Sequence, residues 1–156
     1  MNYFLKQAKQ EDKEVLFRLL QYSLFEESAN SEIEMNENAT FSYEYFEQYF
    51  DKSLDNRWAY LIYGDKKLIG FVMINTYTEK CDKGHSIAEF MICPKYRRKG
   101  IGKKIAMDCF NMHKGNWEVS PYGGNDVAYR FWKKVIGEYT NSNFIYEDGI
   151  FVFCVS

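Results

Sequence analysis

At 156 residues, 46% hydrophobic and 27% charged, the chain is long enough for one domain around a single core, and its composition excludes a disordered polymer. A net charge of −2 argues against a surface built for nucleic acid, no apolar run reaches the ~20 residues of a membrane span, and the polar N-terminus does not read as a signal peptide. Cys81, Cys93, Cys109 and Cys154 lack a framework spacing and read as reduced thiols of a cytoplasmic protein.

Tyr3 to Ala8 predicts a short opening strand, and Glu11 to Glu27 a helix with Val15, Leu16, Leu19, Leu20 and Leu24 inward. A polar stretch from Ser28 to Thr40 leads to a second expected helix over Ser42–Ser53, with Ser42 as its cap and Phe46 and Phe50 on its buried side. Trp58–Tyr63 and Leu68–Tyr77 flank Gly64-Asp-Lys-Lys67, the pattern of a hairpin. His85–Cys93 reads as a central strand, Gly100–His113 as a helix, Trp117–Ser120 as a short strand and Asn125–Ile136 as the last helix. Tyr139–Ile145 and Ile150–Val155 would form a closing hairpin turned at Glu147-Asp-Gly149.

The most informative stretch runs from Glu89 to Lys104. Phe90 to Cys93 is an apolar run stopped by Pro94, which has no N–H for a ladder. From Ile101 the period turns helical, through Ile105, Cys109 and Met112. Between them Gly100 and Gly102 stand among Lys95, Arg97, Arg98, Lys99, Lys103 and Lys104. A helix N-terminus offers unpaired N–H groups and a positive dipole end, and glycines admit an anion close to the backbone. The loop therefore reads as a phosphate cradle. It fails the Walker spacing, and Ile105 stands where the dinucleotide fingerprint needs a third small residue. Outside this turn acidic residues are in excess, 22 in all, which disfavours reading the basic cluster as a nucleic-acid patch.

Arg97-x-x-Gly100-x-Gly102 after a strand ending at Pro94 resembles the acetyl-CoA pyrophosphate element of the GNAT superfamily of N-acetyltransferases. A second block, Asn125-Asp-Val-Ala128-Tyr-Arg-Phe131-Trp132-Lys-Lys-Val-Ile-Gly137, is similar to that family's later Asn-x-x-Ala helix. Asn125 is also a good helix N-cap, and the two roles are compatible. The resemblance covers the whole chain, residues 1–156, as one domain. It implies a mixed α/β fold with a central, mostly antiparallel sheet of six to seven strands and about four helices.

It also implies acetyl transfer from acetyl-CoA to a primary amine. Arg97, Arg98, Lys99, Gly100, Ile101, Gly102, Lys103 and Lys104 would hold the pyrophosphate and Asn125 the pantetheine arm. Met91, Ile92 and Cys93 would pair with pantetheine amides, with the Ile92 N–H polarising the thioester carbonyl. Glu89, a carboxylate in an apolar strand, is the candidate general base, since burial raises a carboxyl's pKa toward usefulness. Trp132 departs from the tyrosine of many relatives, and indole cannot donate a proton as an acid. Tyr129 or water could serve instead, and a non-catalytic acyl-CoA-binding module is the alternative.

Glu26, Glu27, Glu32, Glu34 and Glu37, followed by Phe41, Tyr43, Tyr45, Phe46 and Tyr49, suggest a cationic acceptor, a small amine or a peptide amine, over an anionic one. A solvated connector is the other reading of that run. Cys81-x-x-x-His85 and Cys109-x-x-x-His113 could supply a Cys2His2 zinc site. Cys109 belongs to an apolar stripe, however, and His113 suits a helix C-terminus as a cation, so no metal is expected. A monomer or homodimer is expected, with neither membrane nor nucleic acid as partner.

Overall fold

The computed structural model describes residues 1–122 and 126–156. Seven strands follow the order β1-β2-β3-β4-β5-β7-β6. They are β1 (Tyr3–Gln7), β2 (Arg57–Gly64), β3 (Lys67–Asn75), β4 (His85–Ile92), β5 (Gly115–Val119), β6 (Ile145–Glu147) and β7 (Ile150–Val155). Three α-helices accompany them: α1 (Lys13–Glu27), α2 (Ile101–Met112) and α3 (Asp126–Thr140). The chain divides into two compact units, Met1–Ile74 with Ala88–Pro94, and Asn75–Ile87 with Lys95–Ser156. Among the described residues no helix is long and apolar enough to cross a membrane.

In the first unit β1 pairs antiparallel with β2, from Tyr3 opposite Gly64 to Gln7 opposite Tyr60. Asp65 and Lys66 both take positive φ, 48° and 68°, as the two central residues of a tight hairpin turn require. Leu16, Leu20 and Leu24 recur at four-residue spacing along α1 and bury against Phe41, Phe46, Tyr49, Phe71, Met73 and Met91.

The second helix expected over Ser42–Ser53 does not form; only a 3₁₀ turn, Phe46–Phe50, appears there. Tyr45 takes a left-handed φ of 66°, and Phe41, Phe46 and Tyr49 are drawn into the core. The Gln21 side chain also grips the Phe41 backbone twice, donating from Nε2 to the carbonyl (3.0 Å) and accepting the N–H at Oε1 (2.6 Å). Aromatics lose rotamer freedom in a helix, so packing wins over a weak local preference.

In the second unit β4 begins parallel to β5, with His85 opposite Trp117 and Ser86 opposite Glu118. β5 and β7 run antiparallel from Gly115 opposite Val155 to Val119 opposite Phe151. Phe110 of α2 sits edge-on to Trp117 and Phe153, with ring centres 5.0 and 4.9 Å away. The strand expected over Tyr139–Ile145 is a further correction. α3 continues to Thr140, and a three-residue β6 meets β7 across Asp148-Gly149, both at positive φ. Apolar Val135 and Ile136 are fully inside, and this helical stripe carries the helix through Tyr139, whose ring packs on Phe110 at 5.2 Å.

Candidate active site

β4 delivers Glu89 into the first unit. Its Oε2 accepts a hydrogen bond from the Tyr43 hydroxyl at 3.3 Å, and the carboxyl of Glu27, at the C-terminal end of α1, acts on it electrostatically. Glu89 keeps some access to solvent, yet dense surrounding protein penalises its charge. That burial, then the neighbouring Glu27, pushes its pKa up to about 9, against a smaller opposing effect of the Tyr43 hydrogen bond. Burial raises Glu27 as well. Tyr43 is held protonated by burial and by the adjacent carboxylate.

Glu27 and Tyr43 are members of this cluster that sequence reasoning did not single out beside Glu89. One signal was present. Two glutamates end α1 with no basic residue in its last turn, against the preference of the helix dipole for cations there. Glu32, Glu34 and Glu37 instead lie in a fully exposed stretch. Most of the aromatics expected beside them point into the core, and Tyr45 lies under the Arg57 guanidinium at 5.1 Å.

Met91, Ile92 and Cys93 end the same strand. The Cys93 N–H donates to the Ile69 carbonyl at 2.7 Å. Successive strand N–H groups point to opposite edges, so Met91 shares that direction and the Ile92 N–H points to the edge away from β3. Gly70 permits the close approach of β3, since a Cβ there would stand 2.1 Å from the Met91 carbonyl oxygen.

In the second unit Pro94–Tyr96 form a 3₁₀ turn, and Arg98 and Gly100 both take left-handed φ, 62° and 79°. Gly100 caps α2, and the first N–H to bond back is that of Lys104, onto the Gly100 carbonyl. By helix geometry the N–H groups of Ile101, Gly102 and Lys103 therefore point out of the helix end. A Cβ at Gly100 would meet nothing within 4 Å, so the space above this end is open. Arg97, Arg98, Lys99 and Lys104 are exposed around it, with the Lys95 and Lys99 ammonium groups over the Tyr96 ring. The Lys103 side chain is engaged elsewhere, paired with Glu138 at 2.9 Å. Asn125 lies outside the described residues.

Trp132 is 6% exposed, beside Phe131 at 4.9 Å. Tyr129 packs on Tyr146 and Phe151. Of the four residues weighed as zinc ligands, His85 and His113 stack at 4.7 Å beside Trp117 and Cys109 is buried on α2; the described residues contain no cluster of three metal-binding side chains.

No curated protein matched the chain by sequence. Among solved structures it is similar to the PaiA N-acetyltransferase from Thermoplasma acidophilum in complex with coenzyme A, with TM-score 0.61 and 18% identity over 97% of each chain. The aminoglycoside acetyltransferase AAC(6')-Ib in complex with coenzyme A matches with TM-score 0.67 and 16% identity, over 98% of this chain and 95% of that one. NAA60 of Arabidopsis thaliana, in complex with a bisubstrate analogue, matches with TM-score 0.64 and 13% identity over 99% of each. At these identities the likeness is one of fold. The family model of the GNAT acetyltransferases matches residues 22–137, most of the chain and both of its motif blocks up to Gly137, so the protein belongs to the GNAT family and is an acyltransferase of that type.

Proposed function

We propose that the protein acetylates a primary amine, that of a small molecule or of a peptide, by direct attack of the amine on acetyl-CoA. The observation that carries this reading is Glu89, a carboxyl raised in basicity beside Tyr43 at the end of an apolar strand. An alkylammonium has a pKa near ~10 and must lose a proton before it can attack. A carboxylate raised toward that value is a better-matched base than an ordinary one, and the Glu89 carboxylate accepts the proton.

The Ile92 N–H, directed away from β3, is suited to polarise the thioester carbonyl and to stabilise the oxyanion. Outward N–H groups of Ile101, Gly102 and Lys103, with Arg97, Arg98, Lys99 and Lys104, suit the pyrophosphate. The Lys103 side chain is left out of that group because Glu138 holds it. No acid is assigned at Trp132. A thiol of pKa ~8.5 is a tolerable leaving group, and water can protonate it. The complexes of fold neighbours with coenzyme A and with a bisubstrate analogue support a two-substrate site.

A panel of primary amines assayed for release of coenzyme A tests the reading. Turnover is expected for at least one cationic amine, and Glu89→Gln is expected to lower kcat about 10²-fold or more near neutral pH while leaving acetyl-CoA binding intact. A fully active Glu89→Gln protein would remove Glu89 from the chemistry. Binding of acetyl-CoA with no turnover of any amine would leave an acyl-CoA-binding module.

A further inference from the structure

Glu89 stands on a strand of the sheet, but the hydroxyl that touches its carboxyl comes from irregular chain. Tyr43 lies between α1 and β2, outside helix and strand, and donates to Glu89 Oε2 at 3.3 Å. A side chain on such a segment is aimed only as well as its main chain is held, and here the main chain is held on both sides. Two residues before Tyr43, the Gln21 side chain takes the Phe41 N–H at 2.6 Å and donates to the Phe41 carbonyl at 3.0 Å, while the Phe41 ring is buried in the core. Three residues after it, the Phe46 N–H donates to the Tyr43 carbonyl at 3.3 Å, and the Phe46 ring packs edge-on against Phe17 of α1 at 5.5 Å. A donor and an acceptor on one amide fix the direction of a backbone as well as its distance, as a neighbouring strand would. The ionisable groups acting on Glu89 and Tyr43 besides each other are Glu27 of α1 and, on Tyr43, Tyr49. Arg57 of β2 stands over the rings of Tyr45 and Tyr49.

We propose that Tyr43 is a positioning residue for Glu89, holding one carboxyl oxygen so that the other receives the proton, and that the Gln21–Phe41 clamp aims Tyr43. The proposal rests on Glu89 as the base. A glutamate carries its carboxyl on three rotatable bonds, the last of them soft, and a hydroxyl seated on Oε2 removes much of that freedom. Oε1 is then the oxygen left to accept the proton of the amine. Tyr43 itself exchanges no proton, because burial and the adjacent carboxylate keep its phenol protonated and therefore a donor. The same bond tempers the base. Burial raises the Glu89 pKa, and the Tyr43 hydrogen bond, which favours the charged form, opposes that rise. Tyr43 thus sets both where the proton goes and how tightly it is held.

Carbon-13 NMR titration of the glutamate carboxyls reads this bond without turnover, the Glu89 resonance being the one lost in Glu89→Gln. Tyr43→Phe removes a hydrogen bond to the charged form and is expected to raise the Glu89 midpoint by about half a pH unit or more. Tyr43→3-fluorotyrosine, a stronger donor in nearly the same volume, is expected to lower it. Gln21→Met keeps the length of the side chain without either hydrogen bond and is expected to move the midpoint in the direction of Tyr43→Phe. With an amine that turns over, Tyr43→Phe is expected to lower kcat about tenfold with KM for acetyl-CoA unchanged, and 3-fluorotyrosine to restore kcat. A Glu89 midpoint unmoved by 3-fluorotyrosine overturns the proposal even where Tyr43→Phe and Gln21→Met fail to fold. An unchanged kcat in Tyr43→Phe beside an inactive Glu89→Gln overturns the positioning role and leaves the base standing. A fully active Glu89→Gln protein removes the base, and the positioning role with it.

Discussion

Gly100 joins two demands at one position. Its φ of 79° is one that side-chain-bearing residues adopt only with strain, and its missing Cβ keeps the end of α2 open. A folded Gly100→Val protein is expected to lose about 2 kcal/mol or more of coenzyme A affinity, through strain and lost charged hydrogen bonds. Isothermal calorimetry showing unchanged affinity would exclude the cradle. Trp132 makes a different kind of contribution. Buried against Phe131, it fills volume, so Trp132→Phe is expected to reduce thermal stability while costing far less kcat than Glu89→Gln. Equal losses of kcat in the two variants would reverse the assignments.

At the scale of elements, two close approaches hold the sheet around β4. Gly70 lets β3 press onto Met91, where any Cβ would collide with backbone. Gly70→Ala is expected to cost about 3 kcal/mol in urea unfolding, since main chain cannot rotate away as a side chain can. Glu118, 3% exposed on β5, accepts the N–H groups of Glu79, Lys80 and Cys81, each at 2.8 Å, and so pins the connection between β3 and β4. Burial by itself would raise the Glu118 pKa, but these three donors together hold it below its usual 4.5. The carboxylate therefore stabilises the fold above the unfolded-state value and stops doing so as pH falls through the lower folded value. Glu118→Gln is expected to lower Tm at pH 7, with the gap from the parent narrowing in acid. A gap independent of pH would show that packing, not charge, ties down this connection.

For the whole molecule, Glu89, the carboxyl raised by burial, works against stability. Between its unfolded pKa near 4.5 and its raised folded value, the folded protein binds more protons at Glu89 than the unfolded chain does, so stability falls as pH rises through that window. Glu89→Gln removes the cost of burying the charge. The variant is expected to melt a few degrees above the parent at pH 8 and level with it at pH 4, by calorimetry. A lower Tm at pH 8 would mean that the Tyr43 hydrogen bond to Glu89 outweighs the desolvation of the carboxylate. Lower activity with higher stability in one substitution is the trade expected of a functional group held in a strained environment.

The sequence alone determined the parts whose signals are local. A strand stopped by Pro94, a switch to helical period at Ile101 and two glycines between cations mark the start of α2 by neighbouring residues only, and hydrophobic periodicity placed six of the seven strands in order along the chain. Tertiary structure decided what depends on distant partners. Tyr43 reaches Glu89 across 46 residues of sequence, Glu27 approaches it from the far end of α1, and Glu138 pairs with the Lys103 side chain across 35. The aromatic segment after Phe41 gave up its expected helix because core burial of three rings outweighs a propensity of a few tenths of a kcal/mol per residue. Periodicity encodes which face of an element is apolar, but which carboxyls meet on that face is set only when the elements pack.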